Sequence, residues 1–170
     1  MRERILERVD SLFNTTDRLE TSPSNPYSKL PDTFLAYVAG LIDGEGCIFI
    51  HSSPNAKGER RQYDMGVTIS NTSQELLSHL KLYLDGYTDK TTAHSKQVYC
   101  LRFNSENAAM LLEAVYPHLV LKSERARLAC EFQRKLRERK ARQGKRLSED
   151  DVCERRDFKR IFTILNRRGI

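Results

Sequence analysis

The stretch "YVAGLIDGEGCIFI", Tyr37 to Ile50, sets two acidic residues, Asp43 and Glu45, among glycines directly after an apolar run. Carboxylates serve as general acids and bases and as oxygen ligands for hard cations. Their place is unusual, because the C-terminal end of a helix carries the negative pole of the backbone dipole. Either they decorate a solvated helix terminus or they do chemistry there. The four cysteines, Cys47, Cys100, Cys130 and Cys153, include no CxxC pair and have no histidine cluster beside them. That pattern excludes both a zinc site and a disulfide framework and reads as free thiols in a reducing compartment.

The elements that must position these carboxylates follow from periodicity. Asp32 or Thr33 can cap a helix through "FLAYVAGLID", and Gly44 and Gly46 can end it by taking left-handed backbone. The period then changes from 3.6 to 2: Ile48 and Ile50 alternate with Phe49, His51 and Ser53 as far as the turn "PNAKG". A returning strand alternates Tyr63, Met65, Val67 and Ile69 with polar residues, and Thr72 with Glu75 suits a capping box for the helix "SQELLSHLKLYLDG". A second hairpin starts at Tyr87 and returns as "KQVYCLRFN", with Tyr99, Leu101 and Phe103 inward and Val98, Cys100 and Arg102 outward. Three helices complete the chain: "SENAAMLLEAVYPHL", one from about Lys122 to Arg139, and one capped by Ser148 with an apolar stripe of Phe158, Ile161, Phe162 and Leu165. The class is α+β, with an antiparallel sheet covered on one face by helices. Residues 1–31 read as a short amphipathic helix followed by an extended Ser/Pro-rich arm, and residues 32–170 as one domain.

On the helix from Thr33 to Asp43, Ala36, Gly40 and Gly44 recur every fourth residue. Such a small-residue stripe lets two helix backbones approach closely. Glycine in a helix interior costs about 1 kcal/mol relative to alanine, so a second backbone should pack at Gly40. It comes either from the same chain or from a second copy.

"VAGLIDGEG", Val38 to Gly46, matches six of nine positions of the signature of the LAGLIDADG homing endonucleases, and the chain resembles the single-motif type of that family. The resemblance covers roughly Asp32 to Arg139 and implies an αββαββα fold with a saddle-shaped sheet. It also implies a homodimer in which two motif helices pack along a two-fold axis through Ala36, Gly40 and Gly44. Two copies of Glu45 would then meet at the bottom of a cleft, an unfavourable arrangement unless divalent cations neutralise it. The resemblance therefore implies magnesium, held by Glu45 and the Gly44 carbonyl, with manganese able to substitute and calcium binding without supporting cleavage. The activity implied is hydrolysis of both strands of a long pseudo-palindromic DNA site. Asp43 would hold the turn at the helix end. Asn71, at the end of the second strand, stands where the family places a polar residue that helps position water; an ordinary turn residue would also suit that place. Lys122 matches the family's basic residue near the scissile phosphate, and a solvated lysine is its other reading. Glu45 departs from the family's aspartate, and Glu75 from a basic residue that some homodimeric members carry.

The outward residues of the hairpins are Phe49, His51, Ser53, Gln62, Asp64 and Thr68, then Lys90, Thr92, Lys96, Val98, Cys100 and Arg102. This mixture of donors, acceptors and apolar groups suits base edges in a major groove. A strand of about eight residues at about 3.3 Å each spans roughly eight base pairs, so a dimer would cover on the order of 20. Lys57, Arg60 and Arg61 at the first hairpin tip suit phosphates. So does the basic stretch 122–146, with Arg125 and Arg139 as its representatives; a solvated helix face is the alternative.

Composition agrees with a polyanion partner. The chain of 170 residues has a net charge of +6, and 31% of its residues are charged. Nowhere do eighteen apolar residues follow one another, and the start "MRERILERVDSLF" lacks the apolar core of a secretory signal. A soluble, intracellular protein with no membrane partner is expected. Besides the endonuclease, the same scaffold allows an intron RNA maturase or a non-catalytic DNA-binding regulator.

Overall fold

In the computed structural model the described residues are 19, 24–54, 61–93, 96–141 and 148–167. The helix expected over residues 2–13, and the hairpin-tip residues Lys57 and Arg60, lie outside them. A 3-10 turn, Pro26–Lys29, leads into α1 (Asp32–Glu45), β1 (Gly46–Pro54), β2 (Arg61–Asn71), α2 (Gln74–Lys81), β3 (Tyr87–Ala93), β4 (Lys96–Asn104) and α3 (Ser105–Val115). A second 3-10 turn, Tyr116–His118, then precedes α4 (Ser123–Ala141) and α5 (Glu149–Leu165). This is the expected αββαββα succession with two further helices. The strands form one antiparallel sheet in the order β1-β2-β4-β3, so β2 and β4 are interior and β1 and β3 are edges.

Alternation decides which face is buried. Ile48 and Ile50 of β1, Tyr63, Met65, Val67 and Ile69 of β2, and Leu101 and Phe103 of β4 all belong to the core. They meet Leu35, Val38, Ala39 and Ile42 of α1, Leu111 and Leu112 of α3, and Leu128 and Phe132 of α4 in one apolar cluster. Each large side chain fully buried there contributes about 1.5–3 kcal/mol. The expected stripe on α5 is present: Phe158, Ile161 and Phe162 are buried and Leu165 is partly so.

Several element ends differ from the sequence reading. Neither Asp32 nor Thr33 caps α1. Both already lie in the helix, and the Pro31 carbonyl accepts from Phe34 N at 2.9 Å and Leu35 N at 3.0 Å. The helix does not end in left-handed backbone either, since Gly46 is extended at φ −87°, ψ 157°. Glycine is needed there for close approach: a Cβ would stand 2.7 Å from both the Cα and the O of Ile42. The cap of α2 is Ser73, whose Oγ accepts from Leu76 N at 3.2 Å, one residue later than the expected Thr72, and the helix ends at Lys81. The capping box of α5 between Ser148 and Asp151 is present.

The end of the N-terminal arm docks on the chain's own core. Asn25 is buried and donates Nδ2 to the Met110 carbonyl at 2.7 Å. The buried Tyr27 donates its hydroxyl to Asn107 and accepts from Asp85 N at 3.2 Å. Asn25 and Tyr27 thus pack on the body of the fold, and this part of the arm is not free to lie along a partner.

Beside this strap lies Glu113, a buried carboxylate on α3 held above its ordinary range of 4.5 by burial, against the opposing pull of Arg137 and Asn25. A carboxyl whose folded pKa is raised favours the folded state most when it is protonated. Its contribution is complete below 4.5 and is lost as pH rises through the elevated folded value. Glu113→Gln should therefore raise Tm at neutral pH, and the gain should shrink as pH falls through the elevated folded value and be gone below 4.5, as read by thermal melts across pH.

Candidate active site

The carboxylates at the end of α1 separate into two roles. Asp43 turns into the protein: its Oδ2 accepts from Val120 N at 2.8 Å and Leu121 N at 3.2 Å, and its Oδ1 from Lys122 N at 2.9 Å. These three amides immediately precede α4, so a charged side chain sits at the positive end of that helix. Lys122 reaches back, donating Nζ to the Ile42 and Asp43 carbonyls at 2.7 Å each. The end of α1 and the loop that enters α4 thereby satisfy each other's backbone groups. Burial lowers the Lys122 pKa first, the nearby Arg125 lowers it further, and Asp43, Cys47 and Glu45 oppose both. Glu45, by contrast, is exposed. The structure thus brings Glu45, the Gly44 backbone and Lys122 to one end of α1.

Asn71 has a structural engagement. Its Oδ1 accepts from Ser73 N at 2.8 Å in the turn that caps α2, which leaves its Nδ2 hydrogens as the donors through which it could act.

Along α1, Ala36, Tyr37, Gly40 and Gly44 are exposed in one stripe. A Cβ placed on Gly40 or Gly44 would meet nothing within 4 Å. The loop clamped by Asp43 extends this surface with Val120 and Leu121, which are 79% and 75% exposed. No helix of the described chain supplies the second backbone that the glycines call for.

The sheet face away from the helices is ordered by strand register. Cys47, Thr68, Arg102 and Tyr87 form one row across β1, β2, β4 and β3; Ser70, Cys100 and Asp89 form the next on β2, β4 and β3. Phe49 pairs with Gly66, His51 with Asp64, and Ser53 with Gln62, as expected. Three expectations need correction. Lys90 and Thr92 belong to the opposite face, because Lys90 pairs with Tyr99 and Thr92 with Gln97; Asp89 and Thr91 take the outward places. Cys100 is outward in register yet only 3% exposed, with Ser70 Oγ 3.4 Å from its sulfur. Thr68 is likewise 7% exposed. These two form the floor of the face rather than its reading groups. Phe49 is half-buried over Gly66, where a Cβ would stand 2.6 Å from the Phe49 ring. Gln62, Lys96 and His51 are exposed and Val98 is half-buried; of Arg61, only the backbone is described.

The basic stretch on α4 is largely paired within the chain. Arg127 meets Glu124 at 2.7 Å and Glu131 at 3.8 Å, Lys135 meets Glu154 at 2.7 Å, and Arg134 pairs with Glu138. Arg137 pairs with Glu106 of α3, and Arg139 with Asp151 of α5. Arg139 therefore ties two helices together. Arg125 instead donates to the neutral Asn166 side chain at 3.4 Å. Among the described residues no group of three His, Cys, Asp or Glu is arranged to hold a metal, and no helix is long and apolar enough to cross a membrane.

This fold, with a glycine-bearing helix ending in exposed carboxylate beside a lysine, defines a class. The sequence profile of the LAGLIDADG endonuclease family matches residues 38–136. The chain belongs to that family. Its fold is similar to that of the homing endonuclease I-CvuI, solved with its DNA target in the presence of calcium: TM-score 0.65, 20% identity, covering 82% of this chain and 85% of that one. The archaeal intron-encoded homing endonuclease I-Vdi141I, solved with DNA, gives 0.64 at 16% identity, covering 82% and 87%. The meganuclease I-SmaMI, bound to uncleaveable DNA, gives 0.59 at 13% identity over 77% of this chain but only 44% of that one. None of the curated proteins compared matches the sequence.

Charge-assisted hydrogen bonds contribute about 1.5–3 kcal/mol each. Asp43→Ala should lower stability by about 1.5–3 kcal/mol in urea unfolding, because the exposed amides of 120 and 121 pass to water while the part-buried amide of 122 loses its acceptor. Asp43→Asn should recover part of the loss, since it keeps one oxygen.

Proposed function

We propose that two copies of this chain form a divalent-metal-dependent endonuclease that cuts both strands of a long, pseudo-palindromic DNA site. The observation that carries this reading is the end of α1: an exposed stripe with open space at Gly40 and Gly44, leading directly to the exposed Glu45 beside Lys122. Pairing two such stripes would cover the apolar Val120 and Leu121 and bring two Glu45 carboxylates together. That one copy matches a little under half of I-SmaMI also supports a two-copy body.

The donor set fits a hard cation. Lys122 takes the Ile42 and Asp43 carbonyls, so the Glu45 carboxylate and the Gly44 carbonyl are the oxygens left at this end. Magnesium held there would lower the pKa of an attacking water and neutralise charge on the scissile phosphate. Of the three Lys122 Nζ hydrogens, two go to carbonyls, and the third is available to a phosphate oxygen. Asn71, through Nδ2, would orient water from the far side. His51, Ser53, Gln62, Asp64, Lys96, Val98 and Arg102 would face base edges, with Lys57, Arg60, Arg61 and Arg125 toward phosphates.

Glu45→Gln should remove several kcal/mol of transition-state stabilisation and slow magnesium-dependent cleavage about a thousandfold or more, while duplex binding persists. Cleavage assays against duplexes selected by the protein read this, and undiminished cutting by the variant sinks the assignment. Binding by the wild type with no cutting at all would favour the regulator or maturase reading instead. Gly40→Ala tests the pairing. A methyl there meets nothing in the chain, and alanine is about 1 kcal/mol better than glycine in a helix, so the subunit should gain stability while self-association weakens in sedimentation. An unchanged dimer would place the interface elsewhere.

A further inference from the structure

The sheet row nearest α1 contains one polar side chain prepared for a partner the chain does not supply. Arg102 stands on interior strand β4, facing away from the helices, with its side chain 31% exposed above the buried Thr68 and Cys100. Asp89, diagonal to it on β3, has Oδ2 at 3.5 Å from Arg102 Nε. The Asp89 carboxylate is itself oriented, because its Oδ1 accepts from Lys90 N at 2.7 Å. Arg102 Nε thus has the Asp89 carboxylate as its ion-pair partner, and the buried Thr68 Oγ1 in the same row has no hydrogen-bond partner among the described residues.

With Asp89 beside Nε, the two Nη groups are the donors left for a partner. Phosphates lie along the rim of a groove-filling sheet, whereas an interior strand faces base edges. A paired-donor fork there matches the O6 and N7 acceptors of guanine. Cys47, in the same row, is one residue from the start of β1 at Gly46, so the row lies at the active-site end of the strands and away from the hairpin tips. We propose that Arg102 reads a guanine among the innermost base pairs of each half-site, with Asp89 as its positioning residue. This rests on the DNA-recognition reading above and names one base within it.

The test is selection of duplexes randomised across the site by the full-length wild type, Arg102→Gln and Asp89→Asn, with Tm recorded for each. The wild type should favour guanine about 10- to 100-fold at one inner pair of each half-site. Arg102→Gln should move that preference toward adenine, which glutamine matches, and leave the other positions and Tm unchanged. Asp89→Asn should weaken discrimination at the same pair without altering the salt dependence of binding. A selected site with no inner guanine, or a uniform loss across all sequences in Arg102→Gln, overturns the assignment while leaving the endonuclease reading intact. Failure of the wild type to select any duplex overturns both.

Discussion

The structure depends on a reciprocal clamp between two helix ends. Helices leave carbonyls unpaired at one terminus and amides at the other, and both sets must find partners. Here Asp43, at the end of α1, accepts the three amides that precede α4, while Lys122, from that same segment, donates to the last carbonyls of α1. The clamp fixes where α1 ends relative to the start of α4, and so fixes Lys122 beside Glu45. Glu45 takes no part in this clamp and is exposed. Two acidic residues separated by one glycine thus take opposite directions: one is neutralised by backbone, and the other is presented outward.

The passage from helix to strand at Gly46 is governed by a steric constraint of the same compactness. The chain turns there with Gly46 pressed on the Ile42 backbone, where even a methyl would overlap. This direct entry aligns the first outward residue of β1, Cys47, with Thr68 and Arg102, so the active-site end of α1 and the innermost row of the sheet share one origin. In the proposed endonuclease, chemistry and recognition would be coupled through backbone geometry rather than through a flexible linker.

How much of this was legible in the sequence depends on where physics imposes a period. The core face of β1, β2 and β4 was readable because Ile48, Ile50, Val67, Ile69, Leu101 and Phe103 must alternate to be buried. The face assignment of β3 was not. On edge strand β3, Tyr87 through Thr92 are all exposed, so no apolar alternation distinguishes Lys90 from Asp89, and only pairing with β4 settles the register. The motif helix and Glu45 were visible from residue types and spacing. The partner of Asp43 was not, because its three amides belong to backbone 77 to 79 residues further on and no side chain announces them. Burial of Cys100 and Thr68 on an outward face was likewise not legible, because it is a property of packing and not of alternation.

The distribution of charge bears on how such a chain would hold a polyanion. The run of arginines and lysines on α4 looks like a phosphate-binding helix, but much of it is committed to Glu106 on α3, to Asp151 and Glu154 on α5, and to glutamates of its own helix. Such pairs contribute little stability individually when exposed, yet they offset the field that an anion would sense. The charges that keep their reach are those bonded to neutral groups, such as Arg125 on Asn166, or exposed on a strand, such as Lys96. In the proposed complex Lys96 would add its attraction on the sheet face, where bases would be read. Attraction and discrimination then act on the same surface, and a duplex drawn in by charge arrives against the groups that test its sequence.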